Sequence, residues 1–98
     1  MKEPFRIRAK RAIIQATRQR LFLIRNNKSK NWVTFDQCTS INEQLNNLYS
    51  NKQLAELITQ KSDLLLNVVP GNNHKLLATF HTLMAEAESI ISIHKSKT

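Results

Sequence analysis

Seven basic residues near the start of the chain have types and spacing suited to chemistry: Arg8, Lys10, Arg11, Arg18, Arg25, Lys28 and Lys30. Arg11, Arg18 and Arg25 recur every seven residues, about two turns of α-helix and a rise of ~10.5 Å. Such a repeat sets guanidinium groups in a row along one side of a helix. Arg8 and Lys10 lie close to that row, and Lys28 and Lys30 continue it past the helix end. An arginine fork meets phosphate through two parallel hydrogen bonds, a geometry that lysine lacks. The chemistry available to this row is the neutralisation of a polyanion.

Charge is distributed unevenly along the chain. Residues 1–30 hold ten Lys and Arg against one acid, Glu3, for a net +9, while residues 31–98 carry a net −1. A cationic first third beside a nearly neutral remainder points to an anionic partner for that third.

Other chemistries have little to stand on. Cys38 is the only cysteine, falls on an apolar helical stripe, and reads as a small core residue. His74 and His81 are seven apart, too far along a helix to share a metal, and Glu88 continues the same row as a polar face. The carboxylates Asp36, Glu43, Glu56, Asp63, Glu86 and Glu88 are scattered with no paired acid and base. Gly71 is the only glycine, so there is no phosphate-cradling loop. No enzyme activity, metal or cofactor is expected.

The elements that must position the row can be read from apolar periodicity. Residues 4–26 predict one helix, entered through Pro4. Wound at 100° per residue, Phe5, Ala9, Ala12, Ala16 and Leu23 share a buried stripe flanked by Ile13 and Ile24. Ile7, Ile14 and Leu21 form a second apolar row beside the cations, with Phe22 among them. These four are candidate partner contacts, and Phe22 is also placed to stack on a base. Two apolar stripes mean that this helix either lies between other helices or docks on a partner.

Three more helices are predicted, at about 34–49, 51–69 and 73–94. Thr34 with Gln37 and Ser50 with Gln53 each form a capping box, and Tyr49 with Leu54 a hydrophobic staple. Ser40 with Glu43 offers a later start for the second helix, and one unbroken helix over 34–69 is the competing reading. The second helix places Phe35, Cys38, Ile41, Leu45 and Leu48 inward, and the third Leu54, Leu57, Ile58, Leu64, Leu65 and Val68. Val69-Pro70-Gly71-Asn72-Asn73 is a firm boundary, with Asn72 or Asn73 capping the last helix. That helix turns Leu77, Phe80, Leu83, Met84, Ala87, Ile90 and Ile91 to one side, and the tail 95–98 is expected to fray.

The fold class is therefore all-α: a compact bundle of about four helices forming one domain over 1–98. No run approaches the ~18 apolar residues of a membrane span. A lone cysteine and no secretory signal point to a reducing, cytoplasmic setting. An Arg-rich, acid-poor start also matches an organellar transit peptide, but here it is expected to belong to the fold.

These features imply a non-catalytic subunit that binds the backbone of RNA or DNA without sequence readout, inside a larger ribonucleoprotein or nucleic-acid complex. Other protein subunits, copies of this chain among them, would complete the burial of the first helix. In size, charge and class the chain resembles small helical subunits of CRISPR effector complexes and small ribosomal proteins, a likeness of architecture alone. The alternatives are a helical adaptor whose basic helix docks on an acidic protein, a helix lying on an anionic membrane surface, and a solvated basic face. The membrane reading ranks below nucleic acid, because the alanine-rich stripe offers little bulky anchor and Trp32 lies outside the helix.

Overall fold

The computed structural model describes residues 3–96. Among them five helices are found: α1 (Phe5–Arg25), α2 (Phe35–Leu45), α3 (Asn51–Gln60), α4 (Ser62–Val68) and α5 (His74–Ser96), with no strand. The predicted all-α bundle is the observed architecture.

The local signals act as the sequence implies. Thr34 and Ser50 each accept a backbone N–H from the glutamine three residues on, and that glutamine's side chain accepts the cap residue's N–H. Two capping boxes thus start α2 and α3, so the alternatives of a start at Ser40 and of one helix over 34–69 fall away. Asn73 caps α5 by accepting the Leu76 N–H at 3.1 Å. Lys95 and Ser96 are helical, whereas residues 97 and 98 of the expected frayed tail lie outside the described residues, as does Lys2.

Two boundaries differ. The expected third helix breaks at Lys61, where φ is −116° and ψ 27°, into α3 and α4. The break falls in Gln60-Lys61-Ser62-Asp63, and Ser and Asp compete poorly for helix interior. The second helix stops at Leu45 rather than 49, and Leu48 packs half-buried against the core from the following turn.

The core is built where the periodicity places it. Phe5, Ala9, Ala12, Ile13 and Ala16 are buried on α1, Cys38, Ile41 and Leu45 on α2, and Leu54, Leu57, Ile58, Leu65 and Val68 on α3 and α4. On α5, Phe80, Leu83 and Ala87 are buried together with Leu76, which was not expected. Three alanines on one α1 stripe let neighbouring backbones approach closely, and α1 contacts all four other helices. It therefore lies between helices, and of its second apolar row Ile14 and Leu21 pack half-buried against the core while Ile7 stays exposed.

Three expectations about the core fail. Leu23 and Ile24 are half-exposed, and Phe35 is exposed. The α1 stripe stops short because its next position is Arg20, which is only 5 % exposed. Finally, α5 is long and apolar enough by composition to cross a membrane, contrary to the expectation that no segment is. Here its Leu76, Phe80, Leu83 and Ala87 are spent on the bundle core.

Candidate nucleic-acid interface

With Ala9, Ile13 and Ala16 pointing inward, the opposite side of α1 is fixed by helical phase. Arg11, Arg18, Phe22 and Arg25 all fall on that outward ridge, and all four are exposed. Phe22 sits one turn from Arg18 and one turn from Arg25. The remaining candidates divide to either side. Arg8 turns toward α5, Lys10 toward the α2–α3 connection, and Lys28 and Lys30 are exposed in the loop after α1.

Partners separate free cations from committed ones. Arg8 makes a bidentate pair with Glu86 of α5, its two terminal nitrogens 2.9 and 2.8 Å from the carboxylate oxygens. The hydrogen bond to Glu86 raises the Arg8 pKa, against a small opposing effect of burial. Arg8 is therefore mainly a clamp between α1 and α5. Arg11 pairs with Glu3 at 2.6 Å, but both side chains are about half-exposed or more. Exposed pairs contribute about 0–1 kcal/mol, so a phosphate can displace Glu3 readily. Arg18 and Arg25 have no ion pair among the described residues.

Two cations lie over aromatic rings. The Arg25 guanidinium carbon is 5.4 Å from the Phe35 ring centroid, and Lys10 Nζ is 5.7 Å from that of Tyr49. Cation–π contacts at exposed sites are worth about 0.5–1 kcal/mol. That is enough to orient Arg25 while leaving its charge accessible, and it accounts for the outward position of Phe35.

A groove of about 520 Å³ runs between α1 and α5, lined by Arg8, Arg11 and Gln15 on one wall and Lys75, Thr79 and Thr82 on the other. A second hollow, along Arg11, Gln15, Arg18 and Gln19, extends it. Lys75 thus joins the basic surface from the far end of the sequence. Sequence reasoning missed it because no periodicity within one helix reveals a neighbour on another.

No family model, curated protein or solved structure gives a significant match to this chain. The site therefore rests on its own geometry.

Of the four candidate partner contacts, Ile14 and Leu21 are half-buried against this chain's own core. Ile7 and Phe22 remain exposed, Phe22 to 61 %.

Arg20 was counted among the cations and belongs instead to the interior. Its Nε donates to the Val68 carbonyl, one terminal nitrogen to Ser29 Oγ, and the other to the carbonyls of Asn67 and Val69. These carbonyls end α4, where the helix leaves acceptors without intrahelical donors. Burial lowers the Arg20 pKa, with the nearby Cys38 acting in the opposite direction. The signal was present: Arg20 lies seven residues after Ile13 and four after Ala16, in phase with the buried stripe.

Cys38 is fully buried, and burial raises its thiol pKa against a smaller pull from Arg20. A buried neutral thiol is a poor nucleophile. His74, His81 and His94 are exposed on α5, and among the described residues no group of three or more His, Cys, Asp or Glu is placed to hold a metal. The arrangement offers an extended cationic surface.

Proposed function

We propose that this chain is a non-catalytic subunit that binds the phosphate backbone of nucleic acid along the outward ridge of α1, within a larger ribonucleoprotein or nucleic-acid complex. The observation that carries this reading is the alignment of Arg11, Arg18 and Arg25 on one exposed ridge. Neither Arg18 nor Arg25 is tied to a carboxylate among the described residues. Lys28 and Lys30 are exposed in the loop that follows α1, so five cations in all are open to a polyanion in this reading.

The contacts are electrostatic and made by side chains on a convex helix surface. Nothing in their arrangement reads base edges, so binding is to backbone and of low sequence preference. The setting is cytoplasmic in this reading, and further subunits of the complex meet the exposed Ile7.

Salt dependence tests it. Five neutralised phosphates give a log–log slope of affinity against salt near −3.5 for a single strand and −4.5 for a duplex. Affinity that ignores salt, or no binding to any oligonucleotide, removes the proposal in favour of a protein-docking adaptor.

A further inference from the structure

Residues 22–35 combine exposure, aromaticity and positive charge in one stretch. Phe22, Trp32 and Phe35 are exposed there, Phe22 to 61 % and Trp32 to 58 %. Arg25, Lys28 and Lys30 share the stretch, which contains no carboxylate. The chain has six aromatic residues, and the two that are buried are Phe5 and Phe80. Fully burying a side chain of this size stabilises a fold by about 1.5–3 kcal/mol, and the bundle forgoes most of that gain at Phe22 and Trp32.

The aromatic groups are interleaved with the cations. Phe22 stands on the α1 ridge between Arg18 and Arg25, and the Arg25 guanidinium carbon lies 5.4 Å from the Phe35 ring centroid. The loop that carries Trp32 is anchored on both sides. Asn31 donates to the Asn67 carbonyl and accepts from the Val33 N–H, while Val33 is buried. An exposed indole on an anchored loop needs little ordering to meet a ligand.

Bases in a duplex are stacked on each other and hide their faces. A single strand exposes them, and proteins that bind single strands pair a cationic track with aromatic platforms. We infer that the α1 ridge and the loop after it take single-stranded nucleic acid, with Phe22 and Trp32 stacking on bases while Arg18, Arg25, Lys28 and Lys30 hold the adjacent phosphates. This rests on the backbone-binding reading above and adds strandedness to it. Charge complementarity selects the occupant: an apolar protein partner would meet four cations that make no ion pair among the described residues.

The test compares labelled mixed-sequence oligonucleotides of about 20 nucleotides, single-stranded and duplex, by fluorescence anisotropy. Trp32 is the only tryptophan, so its own emission reports occupancy of the site. The expected result is tighter binding of the single strand, with Trp32 emission quenched. Phe22→Ala and Trp32→Ala should each weaken single-strand binding roughly five- to hundredfold, with helicity, salt slope and duplex affinity unchanged. Phe22→Leu, which keeps an apolar side chain of similar size, should bind as weakly as Phe22→Ala. Equal affinity for both strand forms, indifferent to Phe22→Ala and Trp32→Ala, overturns the stacking inference and leaves backbone binding intact. Binding to neither form overturns both.

Discussion

Arg20 Nε donates to the Val68 carbonyl at 3.1 Å, joining the middle of α1 to the last turn of α4 inside the bundle. A second nitrogen reaches the Asn67 and Val69 carbonyls on either side. One cation therefore closes the C-terminal end of a short helix, where positive charge is favoured. The fold keeps this arginine and surrenders it as a binding group.

Removing that cap should be among the most damaging single changes. Arg20→Ala leaves the Val68 and Val69 carbonyls without their donor, while Asn67 keeps Asn31, and each such buried acceptor costs about 1–3 kcal/mol. A loss of about 3 kcal/mol is expected from urea unfolding, with Arg20→Lys recovering only part of it, since one ammonium cannot reproduce the planar fork. An Arg20→Ala protein as stable as the parent would show that α4 does not depend on this contact.

Arg8 and Glu86 make a weaker clamp, because each side chain is still about 30 % exposed. A double-mutant cycle on the pair should give a coupling of about 1 kcal/mol or less. Glu86→Gln also releases Arg8 into the groove beside Arg11 and Lys75. If that groove belongs to the binding surface, this variant should steepen the single-strand salt slope by about 0.7. An unchanged slope would confine binding to the ridge.

The capping boxes give a local check on how α2 and α3 begin. Thr34→Ala and Ser50→Ala should each lower stability by about 1 kcal/mol, measured by thermal or urea unfolding. Ser50→Ala should leave oligonucleotide affinity unchanged, because Ser50 lies outside both the ridge and the loop that follows it.

Cys38 sets a pH dependence whose sign can be worked out. Burial raises its thiol pKa in the folded chain, so the folded state holds the proton more tightly than the unfolded state. Its contribution is then fully present below the unfolded thiol pKa, about 8.5. It declines as pH rises from there toward the folded value. Stability measured from pH 7 to 10 should fall more steeply for the parent than for Cys38→Ala. Reaction of the native thiol with a disulfide reagent should be slow unless the chain unfolds.

Much of the fold could be read from order and spacing. The stripe from Phe5 to Ala16, the two capping boxes and the boundary at Pro70-Gly71 are local patterns, and local interactions enforce them. What escaped were relationships between distant parts of the chain. Lys75 faces Arg11 only because α1 and α5 pack together, and Glu86 claims Arg8 across the same seam. The split at Lys61 lets α4 present its terminal carbonyls to Arg20, a tertiary demand that the apolar stripe of residues 54–68 does not express. Phe35 looked like core by spacing, yet its position beneath Arg25 follows from where α1 ends. For the candidate site, the seven-residue repeat placed Arg11, Arg18 and Arg25 on one exposed side, whereas the pairing states of Arg8 and Arg11 needed coordinates.

The most direct test of the central claim is the affinity of a labelled single strand, measured against salt, for the parent chain and for Arg18→Glu/Arg25→Glu. Both residues are exposed and carry no ion pair among the described residues, so the variant should keep its helicity and stay folded, with a modest loss of stability from the Arg25–Phe35 contact and from an acid in the last turn of α1. The account predicts a parent slope near −3.5 and binding that is lost in the variant at moderate salt. Unchanged affinity in a folded variant, or a parent slope near zero, would contradict it.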